Sequence, residues 1–467
     1  MLEPPAPGEP LAWTRVRDEL SGLRCRLTEG APITAELPLL AGWAAIGIGM
    51  VLNLSRYSPL GAFLLTCGTA LVVVVVAAKL QPGSGWCRAA GVAVALATAV
   101  FGATFFPAGL YGAGPWLAVS RGFTSLAAVG VALWMTLDLP RARIAGYVVV
   151  GAVAFSGVAM ILASPAPAID VWYMLQAAAS GLSHGANMYS LHWSSHLASE
   201  VQNQFEYLPG SAVLLWPFHV VFGDVRYGLL AAMAASALIL IRVSPGPIGG
   251  LVAALALLYP RATFGLEQAW TDPLVLVTMT ATAFLVTRGR RGWAVVAFAA
   301  CLTCKQSAWL FIPVAAMWPA FGWRRTLLSV GAASAFISPW LIADIHAFYQ
   351  GAIASNLYLP PRATSLSLYT TVLNHGWNPT IAFTSVATLA AIVLVVLRAP
   401  RNAYGFLLGS ATVLAVFDLT NKQTHFNWWA LVACLLVAAL AFGHRSANVP
   451  GGHDPLDLVA LDRPDAR

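Results

Sequence analysis

An aspartate just beyond an apolar run sits where water meets hydrocarbon, and partial desolvation there raises its basicity. Asp170, in Ala168-Ile169-Asp170-Val171-Trp172-Tyr173, is such a residue. A carboxylate so placed suits a general base acting on a hydroxyl of a membrane-adjacent acceptor; the plainer reading is a helix cap or loop acid. The same polar stretch carries Tyr173, His184 and the step Glu206-Tyr207-Leu208-Pro209. His192 and His196 have the spacing of one helical face. They lack a companion Glu or a third ligand, so they read as interfacial histidines, and neither a metal nor another cofactor is expected.

A second constellation reads Gly265-Leu266-Glu267-Gln268-Ala269-Trp270-Thr271-Asp272-Pro273. Glu267, Gln268 and Asp272 beside a tryptophan resemble a sugar-contacting rim, in which carboxylates bind hydroxyls and the ring stacks. Asp272-Pro273 is equally a normal helix start. Lys305-Gln306 lies between two apolar runs, where charge is expensive and marks function by default; a cation there can neutralise a phosphate. Arg362 follows Leu359-Pro360-Pro361, and a dense late turn reads Asn421-Lys422-Gln423-Thr424-His425-Phe426-Asn427-Trp428-Trp429. Lys422 is a further phosphate candidate, with His425, Asn427 and Gln306 as sugar or acceptor contacts. Cys301 and Cys304 form a CxxC inside an apolar run without a second pair, and read as core residues. No Walker A, GxGxxG, nucleophile elbow or HExxH motif occurs, which excludes nucleotide-driven pumps and the common hydrolase schemes.

The elements that must position these residues are membrane spans. Of 467 residues, 58% are hydrophobic and 10% charged, and the mean hydropathy is +0.73. No water-soluble fold hides that much apolar surface, so an all-α polytopic membrane protein is expected, a bundle of about 12–14 transmembrane helices among membrane lipids. The formal charge of +7 reads as orientation rather than as nucleic-acid binding. Apolar runs fall at about 38–54, 60–79, 89–106, 122–137, 144–163, 208–223, 226–242, 247–262, 273–287, 292–304, 307–320, 326–343, 380–397, 403–420 and 427–443. The run 208–223, with Pro209, Pro217 and His219, is the weak one. If it lies in the interface without crossing, most of the 26 Lys and Arg fall inside. Asp170, Glu200, Glu206, Asp224, Glu267, Asp272, Asp344 and Asp418 then fall at or near the outer face, and only Asp138 inside. If it crosses, the clusters Arg288/Arg290/Arg291, Arg324/Arg325 and Arg398/Arg401 move outside.

The organisation expected is a cytoplasmic amino-terminal segment over 1–36 without a cleavable leader, then extra amino-terminal helices over 37–140. A catalytic membrane domain follows over 141–443, with long external loops at 164–225 and 344–379, and a flexible cytoplasmic tail over 444–467.

Asp170 in the first large external loop, the Tyr207-Leu208-Pro209 step, the acidic turn Glu267–Asp272, Lys305-Gln306 and Asn421-Lys422-Gln423 with Asn427-Trp428 occur in an order and sidedness that resembles the GT-C superfamily. Those enzymes are glycosyltransferases that use polyprenyl-phosphate sugars. The likeness is strongest to the bacterial branch of polyprenol-phosphate-mannose mannosyltransferases. It implies a GT-C-like helical bundle in the bacterial plasma membrane, with an extracytoplasmic site. The implied reaction is metal-independent or weakly metal-dependent inverting transfer of a sugar, mannose by resemblance, from a polyprenyl-phosphate donor to an envelope glycolipid or glycan acceptor, with Asp170 as the base. Three features depart from the pattern: about four extra spans precede the catalytic ones, Glu-Gln-Ala-Trp-Thr-Asp replaces a clean acidic pair, and no soluble carboxyl-terminal carbohydrate module follows. A secondary transporter or flippase of a lipid or sugar is the alternative.

Overall fold

The computed structural model describes residues 34–83, 109–136, 142–192, 204–244 and 248–447. The amino-terminal segment, the run at 89–106, Asp138, His196, Glu200 and the tail beyond 447 lie outside the described residues. Among the described residues every regular element is helical.

Helices α1 (Glu36–Ser55) and α2 (Pro59–Ala77) form a hairpin. Ser58 Oγ caps α2 by accepting from the Gly61 N–H at 3.1 Å. The two helices meet through glycines: a Cβ on Gly68 would overlap Ile46 and press on the Gly42 carbonyl. Small residues at such contacts let backbones approach closely, the means by which membrane helices associate. Next come α3 (Gly114–Thr136) and α4 (Ala142–Ala163), joined at mid-helix by hydroxyls. Ser156 Oγ lies 3.0 Å from Ser120 Oγ and 2.7 Å from Thr124 Oγ1.

The first long loop contains α5 (Asp170–Ser183) and α6 (Pro209–Phe222). It is followed by α7 (Arg226–Val243), α8 (Ile248–Leu257), α9 (Ala262–Glu267), α10 (Asp272–Thr287) and α11 (Arg291–Cys304). A 3-10 stretch, Gln306–Phe311, leads into α12 (Ile312–Met317) and α13 (Gly322–Ala343). The second long loop holds α14 (Ile345–Phe348), a π-helical turn (Tyr349–Ala354), α15 (Ser355–Tyr358) and α16 (Leu368–Asn374). The bundle closes with α17 (Ile381–Arg398), α18 (Ala403–Thr420) and α19 (Phe426–Ala447).

Eight helices among the described residues are long and apolar enough to cross a membrane. The chain is therefore a helical membrane protein. Shorter apolar helices accompany them: α6, α8, α10, α11 and the 3-10/α12 leg. Burial places α18 and α19 at the centre, with 89% and 94% of their apolar windows covered, and α13 and α17 at the rim, with 22% each. The rim exposes Leu327, Leu328, Val386, Leu389 and Leu397, an apolar face that hydrocarbon, and not water, accommodates.

One end of the bundle carries the arginine clusters: Arg291 raises the electrostatic potential at Arg325, so the starts of α11 and α13 share that end. The other, here the site end, carries Asp170, Lys305 and the turn after α18. The position of α6 follows from its ends. Gly210 at its start backs on Thr303, beside Lys305, so closely that a Cβ there would overlap. Past its last residue, the Gly223 carbonyl accepts from Gln176 Nε2 of α5 at 2.9 Å. Both ends of α6 are thus tied to the elements that carry Asp170 and Lys305.

Candidate functional site

The start of α5 is fixed by a buried ionic knot. Arg226 is fully buried, donating to Asp224 (Nη2 to Oδ2, 2.6 Å; Nε to Oδ1, 3.0 Å) and to Ser164 Oγ at 3.1 Å. Its guanidinium carbon lies 5.8 Å from the Trp172 ring centroid. A buried guanidinium is tolerable only with its donors satisfied, as here. The knot ties the end of α4, the start of α7 and the first turn of α5 together, and so aims Asp170 into a cavity of about 1010 Å³.

That cavity brings together Asp170, Glu206, Tyr207, Lys305, Gln306, Arg362, Lys422, His425 and Asn427, residues from five separate segments of the chain. Asp170 Oδ1 accepts from the Val171 N–H at 2.8 Å. Burial pushes its carboxyl above the usual aspartate range, and the Val171 N–H and Arg362 pull it part of the way back. Glu206 goes further: burial first, then the charge of Asp170, raise it to about 8 against the opposing pull of Arg362. His425 is driven down to about 4 by burial and by the cations Arg362 and Lys305, so its imidazole is neutral at pH 7.

The cations differ in their partners. Lys305 Nζ is paired with Asp272 Oδ1 at 2.7 Å and lies 5.1 Å from the Trp428 ring centroid. The other oxygen of Asp272 accepts from Asn427 Nδ2 at 2.6 Å. Arg362 makes no ion pair among the described residues, and Lys422 Nζ donates only to the Leu357 carbonyl, at 2.6 Å. Lys422 thus faces the cavity outside any ion pair among the described residues, and Arg362, though in no salt bridge there, is felt by both Asp170 and Glu206. Gln306 is a brace: its Nε2 donates to the carbonyls of Glu206 and Ala352, each at 2.7 Å, and joins the two long loops.

The other sequence candidates lie elsewhere. Glu267 is fully buried and accepts three backbone N–H groups, from Leu110 (2.6 Å), Tyr111 (2.9 Å) and Gly112 (2.7 Å). Gln268 Nε2 donates to the same carboxylate at 3.1 Å. Both are occupied in joining the turn before α3 to α9, and neither reaches the cavity as a rim residue would. Asp272 lies beneath the cavity wall as the counter-ion of Lys305. Tyr173 packs edge-on against Trp172, and His184 caps α5 through the Ser180 carbonyl; neither lines the cavity. Cys301 and Cys304 are buried free thiols, and no cluster of three metal-ligating side chains occurs among the described residues.

Sequence reasoning passed over Asn356, Asn378, Thr384 and Thr388, which also line the cavity. Thr384 and Thr388 are a turn apart on an otherwise apolar span, and that i,i+4 spacing was a readable signal of an inward face. Together with Leu389 and Ile392 they carry the cavity down α17 as an apolar groove. Comparison with family models, curated proteins and solved structures finds no match.

Proposed function

We propose that this cavity transfers a sugar from a polyprenyl-phosphate donor to a hydroxyl of an envelope glycolipid or glycan acceptor, with inversion. The observation that carries the reading is one cavity holding a partly desolvated carboxylate, two cations outside any salt bridge among the described residues and an apolar groove. The cations match a phosphate, the groove matches an isoprenoid tail, and the carboxylate matches an acceptor hydroxyl.

In the proposed step Asp170 takes the acceptor proton as the acceptor oxygen bonds to the anomeric carbon. The bond from that carbon to the phosphate oxygen breaks, and its electron pair leaves with the phosphate. The leaving group needs no protonation, so one carboxylate serves where glycosidases need two. Charge grows on the departing phosphate, and Arg362, Lys422 and Lys305 are preorganised to stabilise it. By resemblance, mannose is the sugar and the site faces away from the cytoplasm.

Purified full-length protein in lipid nanodiscs, given a panel of polyprenyl-phosphate sugars and envelope lipids and read by mass spectrometry, tests the reading. The expected result is one glycosylated product, reduced on the order of 10²–10⁴-fold by Asp170→Asn. Near-normal transfer by that variant removes Asp170 from the mechanism.

A second reading, a lipid or sugar transporter, draws on Asp418. It is fully buried in α18, and neither carboxylate oxygen has a hydrogen-bond partner. Ionisable groups within spans mark ion and proton pathways in transporters. Solute or lipid movement in proteoliposomes without glycosyl transfer favours that reading.

A further inference from the structure

Among the described residues, Glu206 is the one cavity acid whose side chain has no hydrogen-bond partner. Its backbone is well held, the carbonyl accepting from Gln306 and from Asn356 Nδ2 at 3.3 Å. Its side chain is not: Oε1 is buried without a hydrogen-bond partner, and no described residue donates to the carboxyl. An ionised carboxylate left so bare is costly, whereas a protonated one is tolerated. The charged and titratable groups around it are few. Asp170 faces it from the start of α5 and Arg362 from the strap after α15. Across the same cavity stand Lys305 at the end of α11 and Lys422 and neutral His425 in the turn before α19, with Tyr207 adjacent in the chain. Arg362 is shared between two carboxyls and neutralises one of them.

We propose that Glu206 and Asp170 hold a single proton between them, resident on Glu206, which faces the substrate as a neutral hydrogen-bond donor and leaves Asp170 ionised as the base. Two carboxyls in one site do not both ionise readily, and their environments separate the roles. Were Glu206 ionised as well, the cavity would lose the positive excess that Arg362 and Lys422 provide for a phosphate. This division of roles rests on the transferase reading, but the protonation itself does not.

Two measurements test it on the full chain in nanodiscs. The first needs no substrate: infrared spectra recorded against pH. A protonated-carboxyl band titrating near pH 8, absent in Glu206→Gln and moved to lower pH in Asp170→Asn, is the expected result. No such band at pH 7, or a midpoint that Asp170→Asn leaves in place, overturns the proposal. The second is the ratio of transfer rates at pH 9 and pH 7. The native chain should lose about tenfold over that interval, as a group titrating near pH 8 ionises. Glu206→Gln, which always donates, should show a flat ratio and should outperform Glu206→Ala at pH 7. Equal defects in Gln and Ala, or an alkaline fall that persists in Gln, overturn the proposal. If the native chain turns over no donor, the transferase reading fails and the infrared titration decides the proton sharing by itself.

Discussion

Lys305 shows how a single residue can be both foundation and instrument. Its ammonium is buried against Asp272, with a second carboxylate, Asp418, close enough to feel both charges. Removing one partner of a buried pair leaves an uncompensated charge, which costs about 3–5 kcal/mol. Lys305→Met should therefore lower the thermal midpoint in detergent sharply, and Lys305→Met with Asp272→Asn should recover most of the loss. A double variant as unstable as the single one contradicts the pairing. His425 belongs to the same scale. Its ring is held near pH 4 in the fold, against 6.5 when free. The folded chain binds fewer protons than the unfolded one between those values, so this stabilisation is present above pH 6.5 and is lost as pH falls through 4. Unfolding midpoints should drop across that window, and His425→Gln should flatten the drop. An unchanged acid limb in that variant would assign the loss to other groups.

Among elements, the lesson of α9 is that a constellation's position in sequence does not reveal what it touches. Glu267 beside Trp270 reads as a sugar rim because acid and aromatic are adjacent. The competing partner, the backbone of Leu110, Tyr111 and Gly112, lies more than 150 positions earlier and carries no side-chain signature. Backbone N–H groups are invisible to pattern reading, and a buried turn must satisfy them. Charge-assisted hydrogen bonds of this kind contribute roughly 1.5–3 kcal/mol each. Glu267→Ala should thus destabilise the protein by several kcal/mol without altering the pH dependence of transfer; a stable variant with a changed pH profile would restore the rim role. The π-helical turn Tyr349–Ala354, which presents the Ala352 carbonyl to Gln306, was likewise unreadable, since no periodicity encodes it. The apolar spans were legible, because hydrocarbon demands long unbroken runs. So was the isolation of Lys305 and the density of the turn around Lys422, since charge amid apolar sequence is rare enough to carry meaning.

At the scale of the whole molecule the arrangement is two-ended: arginines at one end of the bundle, the cavity at the other. Charge asymmetry in the sequence anticipated this only if α6 does not cross, and its two anchored ends, at Thr303 and at Gln176, supply the geometric argument. The long loops are then obliged to meet on one side, and they do. Gln204 Nε2 reaches the Gln350 carbonyl at 3.5 Å, and Ser190 Oγ reaches Asp344 Oδ2 at 3.4 Å. Residues 204 and 350 flank α6 and six further legs of the bundle, so their proximity constrains the topology of everything between them. Replacing the six cysteines and adding single ones at Gln204, Gln350, Arg290 or Arg324 allows a test with a membrane-impermeant maleimide on intact cells and on inverted vesicles. Positions 204 and 350 should label from one side, and 290 and 324 from the other, with basic residues concentrated on the inner side. Labelling of 204 and 350 from opposite sides would make α6 a true span, separate Asp170 from Arg362 and Lys422, and dissolve the cavity on which the transferase reading stands.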